Sequence, residues 1–195
     1  MKKDIILAGV GGQGILSIAA TIGTAAVQSG LHLKQAEVHG MSQRGGAVQS
    51  HLRLSSEEIY SDLITQGKAD LIISIEPMES LRYLNMLSQG GWLITNINPE
   101  ANIPDYPEMD DILEQIKKVP NHVALDAVMI AKEVGTPRTA NIVTLGAAVE
   151  QLGMDYESLK KAIRTIFSTK GEDVINMNLM AMEAGRKFAM EYNKT

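Results

Sequence analysis

Ile5-Ile6-Leu7-Ala8-Gly9-Val10-Gly11-Gly12-Gln13-Gly14 is an apolar run that breaks into glycine and then into helical periodicity. It reads as a buried first strand, a tight turn and the opening of the first helix of an α/β sheet. Gly9, Gly11 and Gly14 carry the G-x-G-x-x-G spacing. In that pattern one glycine makes the turn, one brings backbone close to a ligand and one lets helix pack on strand. The N–H groups at such a helix start attract anions, phosphate above all. By itself the spacing fits many dinucleotide folds, and equally a glycine turn with no ligand.

Outward from this stretch, Ile15, Ile18, Ala19, Ile22, Ala25 and Ala26 recur at three and four, which predicts a helix to Gln28 with Gly30 past its end. Leu33 to Val38 reads as a second strand. Glu37 near its end lies 23 residues after Gly14, a loose match to the acidic residue that holds a ribose hydroxyl in dinucleotide folds. A helix should follow. The sequence has instead the glycine-rich loop His39-Gly40-Met41-Ser42-Gln43-Arg44-Gly45-Gly46, with a single arginine. Val48, Ser50, Leu52 and Leu54 then alternate with polar residues, a strand with one polar face, and Ile59-Tyr60-Ser61 is expected to return as its hairpin partner.

Leu71 to Ile75 has the character of a central strand. Pro77 opens a helix with Met78, Leu81, Leu84 and Leu87 inward and Gly90-Gly91 as its stop, and Trp92 to Thr95 is the next strand. A connection with three prolines, a short helix from Asp110 to Lys118, a strand at His122–Leu125 and a helix from Asp126 to Val134 follow. From Asn141 only helical stretches remain: Asn141 to Leu152, Tyr156 to Ser168 and Glu172 to Tyr192. The expected fold is a Rossmann-like three-layer α/β sandwich with a mostly parallel sheet, one β-hairpin insertion and a helical C-terminal region. One domain is expected over 1–195, with an α/β core at 1–135 and a helical part at 136–195.

Composition narrows the function. Hydrophobic residues make up 45% and charged residues 21%, with no apolar run of about 18 residues and an N-terminus too short in apolar residues for a signal peptide, so a cytoplasmic protein with no membrane association is expected. A net charge of −5 argues against a general nucleic-acid binder. The chain has no cysteine and can hold neither an iron–sulfur cluster nor a thiolate zinc site. Four histidines show no metal-ligand spacing, and no G-x-S-x-G elbow or P-loop occurs. No catalytic residue and no metal ligand is assigned. The concentrated polar group is Glu37, His39, Ser42, Gln43 and Arg44, expected to lie beside Gly11, Gly12 and Gln13. Arg44 either clamps a phosphate or carboxylate, with Gly45 and Gly46 admitting backbone to the ligand, or pairs with Glu37 to shape the loop.

Gly9-Val10-Gly11-Gly12-Gln13-Gly14, then Glu37-x-x-Gly40-x-x-x-Arg44-Gly45-Gly46, then Thr139-Ala140-Asn141-Ile142-Val143-Thr144-Leu145-Gly146-Ala147 together resemble the gamma-type subunits of 2-oxoacid:ferredoxin oxidoreductases, over most of the chain. The wording from Glu37 to Gly46 is most similar to the indolepyruvate branch. The resemblance implies a large alpha-type partner subunit carrying thiamine diphosphate and iron–sulfur clusters, decarboxylation of an aryl pyruvate with electrons passed to ferredoxin, and coenzyme A as acyl acceptor. It implies that Gly9, Gly11, Gly12, Gln13, Gly14, Glu37, Ser42, Gln43, Arg44, Gly45 and Gly46 help hold an anionic group, coenzyme A being the candidate shared ligand. Two other readings stay open: a stand-alone NAD(P)-binding dehydrogenase, and an assembly module whose glycine turn is structural.

Overall fold

Alternation along the strands splits the apolar side chains between two faces of one sheet. In the computed structural model, which describes residues 1–39, 45–101 and 103–192, β1 (Lys2–Val10) sends Ile5 and Leu7 into one core and Ile6 into another. α1 (Ile15–Gln28) and β2 (His32–His39) follow, then β3 (Ala47–Ser55) and β4 (Ala69–Ser74). α2 (Pro77–Arg82), β5 (Leu87–Asn96), α3 (Met109–Lys117), β6 (His122–Leu125) and α4 (Ala127–Val134) complete the sheet and its nearest helices. The strand order is β2-β3-β1-β4-β5-β6, with β1, β4, β5 and β6 parallel and β3 antiparallel to both β1 and β2.

α5 (Ala140–Ala147), α6 (Val149–Leu152), α7 (Tyr156–Ile166) and α8 (Glu172–Tyr192) follow in sequence. Ile142, Val143, Leu145, Leu159, Ile163 and Met182 from these helices join α1 in the core under Ile5, Leu7, Leu71 and Ile73. α2 and α3 cover the opposite face, where Ile112 and Ile116 meet Ile6, Ile72 and Leu93. Helices on both faces make the expected three-layer sandwich. Because α1 leaves β1 toward one face and α2 leaves β4 toward the other, the sheet has its switch point between β1 and β4, where α/β folds bind ligands beyond the strand ends.

Two expectations need correction. Ile59-Tyr60-Ser61 forms no strand: β3 already pairs on both edges, with β2 through Leu33↔Leu54 and with β1 through Ile5↔Leu52, so no ladder is left for a third partner. The hairpin is β2–β3. The helix opened by Pro77 also ends early, at Arg82, and Leu87 already belongs to β5. Gly90 and Gly91 therefore sit inside that strand rather than stopping a helix; Gly90 takes a φ of +85°, and the β4–β5 register shifts between Ala69 and Leu71. Local periodicity cannot tell a helix stop from a strand irregularity, since glycine serves both.

The loop after β3 is tied down by polar contacts. The Arg53 guanidinium donates to the Ser61 and Leu63 carbonyls at 2.9 and 3.2 Å and forks onto buried Asp4. The Ile64 N–H donates to Nδ1 of His51 at 3.0 Å, so the neutral ring carries its proton on Nε2, beside the Gln49 side-chain amide. Burial pushes the His51 pKa down, with Asp62 opposing and Arg53 adding to the shift. A depressed folded-state pKa means that the neutral ring stabilises the fold above the unfolded value near 6.5, and that this stability is lost as pH falls through the lower folded-state value. Urea midpoints measured from pH 8 to 5 should therefore fall more steeply for the wild type than for His51→Gln, by at most about 1.4 kcal/mol per pH unit. Parallel profiles would remove His51 as the cause.

Candidate functional site

The β1–β3 ladder does not stop at Val10↔Ala47. It continues into both glycine loops, where the Gly11 N–H donates to Gly46 O at 2.8 Å and the Gly45 N–H donates to Gly11 O at 3.2 Å. The loop after β2 and the turn after β1 are thus one backbone-bonded unit. Gln13 closes the turn on itself: its Oε1 accepts the Val10 N–H at 2.8 Å and its own N–H donates to Val10 O at 3.2 Å. Gly14 caps α1 with a φ of +91°, and the Asn141 Nδ2 donates to its carbonyl at 3.2 Å. A Cβ at Gly14 would stand 2.5 Å from that nitrogen. Residues from three distant parts of the chain therefore converge on one turn.

Two clefts flank the turn. The first, about 340 Å³, lies between the turn and the β2–β3 hairpin and is lined by Gly11, Gly12, Gly14, Glu37, His39 and Leu16 among others. The second, about 330 Å³, lies at the β1/β4 switch point, lined by Gly12, Gln13, Ile75, Asn96, Arg138 and Asn141 among others. The N–H groups of Gly12, Gly14, Ile15 and Leu16 have no acceptor among the described residues, so the start of α1 presents bare donors as the glycine spacing implies. Glu37 brings a buried carboxylate oxygen, Oε2, that takes no hydrogen bond from the described residues. A buried oxygen without a donor is costly, and a ligand hydroxyl or amine in the first cleft would supply one.

The residues singled out by sequence divide between these places. Gly11, Gly12, Gly14 and Glu37 share the first cleft; Gln13 faces the second. Gly9 lines neither, and its role is close packing, since a Cβ there would lie 2.6 Å from Ile75. Gly45 and Gly46 act through their backbone bonds to Gly11. Ser42, Gln43 and Arg44 lie outside the described residues. Arg138 and Asn96 were not singled out. Asn96 is buried, donating to Ile75 O and accepting from the Ala127 N–H. The one sequence signal for Arg138 is its place directly before the Thr139–Ala147 motif. No group of three or more histidine, aspartate or glutamate side chains suited to a metal occurs among the described residues, and none of their helices is long and apolar enough to cross a membrane.

The family profile described as pyruvate ferredoxin/flavodoxin oxidoreductase matches residues 4–188. The indolepyruvate oxidoreductase subunit IorB of Thermococcus kodakarensis is 38% identical over 202 residues, covering 98% of each chain. Among solved structures, the gamma subunit of a keto/oxoacid ferredoxin oxidoreductase from Geobacter sulfurreducens is 26% identical, with a TM-score of 0.68 over 97% of this chain and 99% of that one. The 2-oxoglutarate:ferredoxin oxidoreductase of Magnetococcus marinus, solved with 2-oxoglutarate, coenzyme A and succinyl-CoA bound, shares the fold at a TM-score of 0.77 and 24% identity; this chain spans 31% of that longer one. The chain belongs to the pyruvate ferredoxin/flavodoxin oxidoreductase family, as a gamma-type subunit of the 2-oxoacid:ferredoxin oxidoreductases.

Proposed function

We propose that this subunit serves an indolepyruvate-type oxidoreductase, in which an aryl pyruvate is oxidatively decarboxylated, the acyl group passes to coenzyme A and two electrons pass to ferredoxin. The observation that carries the reading is the pair of backbone-joined glycine loops, an open wall of anion-ready donors beyond the carboxyl end of β1, in a chain that has no cysteine for a cluster. Such a wall binds and orients, and the redox groups belong on another polypeptide. Thiamine diphosphate and the iron–sulfur clusters would sit on the large alpha-type subunit, with coenzyme A held at the junction, in the cytoplasm. The 38% identity to a subunit named for indolepyruvate supports the substrate class.

The wall residues are Gly11, Gly12, Gly14 and Glu37; Ser42, Gln43 and Arg44, which the sequence motif assigns to the same ligand, lie outside the described residues. The bare N–H groups at the start of α1 would face phosphate, and the orphaned Glu37 oxygen would accept from a sugar hydroxyl or an exocyclic amine. A dehydrogenase acting alone is disfavoured by β3, a strand at the position where a dinucleotide unit needs its second crossover helix.

Co-expression with the large subunit tests the reading. The two chains should purify together and reduce ferredoxin only when indolepyruvate, coenzyme A and thiamine diphosphate are all supplied; a chain that purifies alone and adds nothing to the large subunit's activity overturns it. In the assembled enzyme, Arg44→Ala should raise the KM for coenzyme A by an amount equivalent to about 1–3 kcal/mol, the range for losing a charge-assisted hydrogen bond. An unchanged KM would instead favour the loop-shaping role of that arginine.

A further inference from the structure

A third cleft, about 380 Å³, lies between the start of α1, the turn before α5 and the first turns of α8. It shares Arg138 and Asn141 with the switch-point crevice and no residue with the cleft that holds Glu37. Phe167, Val174 and Met177 are only half-buried and line it with apolar surface, and its lining includes no carboxylate and no lysine. Apolar walls with a few fixed polar groups are the form that small-molecule sites take.

Two polar side chains in this cleft lack partners. Arg53, Arg82, Arg164 and Arg186 each meet a carboxylate, whereas the Arg138 guanidinium makes no ion pair or hydrogen bond among the described residues. Its backbone is fixed in the short turn Pro137–Thr139, where the Arg138 N–H donates to Thr136 Oγ1 at 3.4 Å. Asn178 is 5% exposed, and its Nδ2 donates to the Val174 carbonyl at 2.8 Å. That bond sets which end of the amide is which, and Oδ1 takes no hydrogen bond from the described residues. An acceptor left open on so buried a side chain is costly, and a ligand N–H supplies the missing donor. The planar fork of Arg138 matches a carboxylate. Phe167 and the Met177 thioether favour an aromatic ring over an alkyl chain.

We propose that this cleft binds a flat aromatic carboxylate bearing a ring N–H. The carboxylate lies on Arg138, the ring packs on Phe167, Val174 and Met177, and the N–H donates to Asn178 Oδ1. The site is separate from the wall assigned to coenzyme A and gives the chain a second ligand. Asn141 lines the cleft and also holds the Gly14 carbonyl, so an occupant rests against the side chain that steadies the start of α1.

Calorimetric titration of indole-3-acetate into the full chain tests the site, with indole as the analogue that lacks the carboxylate and naphthaleneacetate as the one that lacks the N–H. Both analogues should bind more weakly than indole-3-acetate. Arg138→Gln should weaken indole-3-acetate by about tenfold and leave indole unchanged. Asn178→Leu should weaken indole-3-acetate and spare naphthaleneacetate, which makes no use of the amide oxygen. Because the Arg138 side chain is exposed and unpartnered, Arg138→Gln should melt with the wild type, which separates lost binding from lost folding. With the methionine methyl groups labelled with carbon-13, the Met177 resonance, assigned through Met177→Leu, should move during the titration, and Glu37→Gln in the first cleft should leave the affinity as it is. No binding at millimolar indole-3-acetate, an affinity unchanged in Arg138→Gln, or a Met177 resonance that stays fixed at saturation overturns the proposal. None of these results touches the proposed function, which stands or falls on ferredoxin reduction by the assembled enzyme.

Discussion

Gly185→Val is expected to leave the protein unable to reach a stable native state, and Gly185→Ala to cost about 3 kcal/mol or more. α5 and α8 cross with their backbones in contact: a Cβ on Gly185 would collide with the Val143 carbonyl oxygen, and a Cβ on Gly146 would collide with the Met182 carbonyl oxygen. Overpacking costs about 1–3 kcal/mol when side chains can shift. Here the obstacle is backbone within two helices, and relief requires the helices to part along the core that also receives Ile142, Val143 and Met182. Urea unfolding followed by circular dichroism measures the loss. Gly153→Ala is the control, because a Cβ there meets nothing and only the left-handed backbone at φ +66° is penalised, by about 1–2 kcal/mol. A Gly185→Ala loss no larger than that of Gly153→Ala would show that the crossing can open freely.

Arg53→Met should destabilise the protein by about 3–5 kcal/mol, the range for removing one partner of a buried ion pair. Asp4 is 3% exposed and receives the Arg53 guanidinium at 2.7 and 3.3 Å. Lys2, 3.4 Å from the same carboxylate, is 67% exposed and a poor substitute. The substitution also frees the Ser61 and Leu63 carbonyls, loosening the loop over the outer face of β3. The double variant Asp4→Leu/Arg53→Met should recover much of the loss, since no buried charge is then left unpaired. If the single variant loses less than about 1 kcal/mol, solvent reaches Asp4 and the pair is a surface one in energetic terms.

Both substitutions bear on how far the chain could be read in advance. Periodicity located the strands with buried faces, because a strand covered on one or both sides writes its environment into alternate residues: Ile5 to Val10 and Val48 to Leu54 lie within strands, and Leu71 to Ile75 lies within β4 except for Ile75, the strand ending at Ser74. It likewise found α4, capped by Asp126 and ended by Gly135, and the whole of α8. It misjudged Ile59–Ser61 and the end of α2, where the outcome depended on which strand edges were already occupied. Those are facts about partners distant in sequence, invisible to a local window.

The candidate site divides in the same way. Gly9 to Gly14 announces a turn and an anion-ready helix start by composition alone, because few residues other than glycine accept a φ near +100°. Glu37 and Gly45–Gly46 could be named from their own motif. That Gly11 bonds directly to both Gly45 and Gly46, that Asn141 holds the Gly14 carbonyl, and that Gly12 stands between one cleft with a carboxylate and another with a guanidinium follow only from the sheet order and the packing of α5 against α1. Residue type and local spacing sufficed for most of the elements, the turn and the absence of any thiolate, but not for Ile59–Ser61 or the end of α2. The tertiary structure alone decided which residues face one another across the turn, because bringing Gly12 and Arg138 to one crevice needs the closure of more than a hundred residues of intervening chain, and no local pattern encodes that closure.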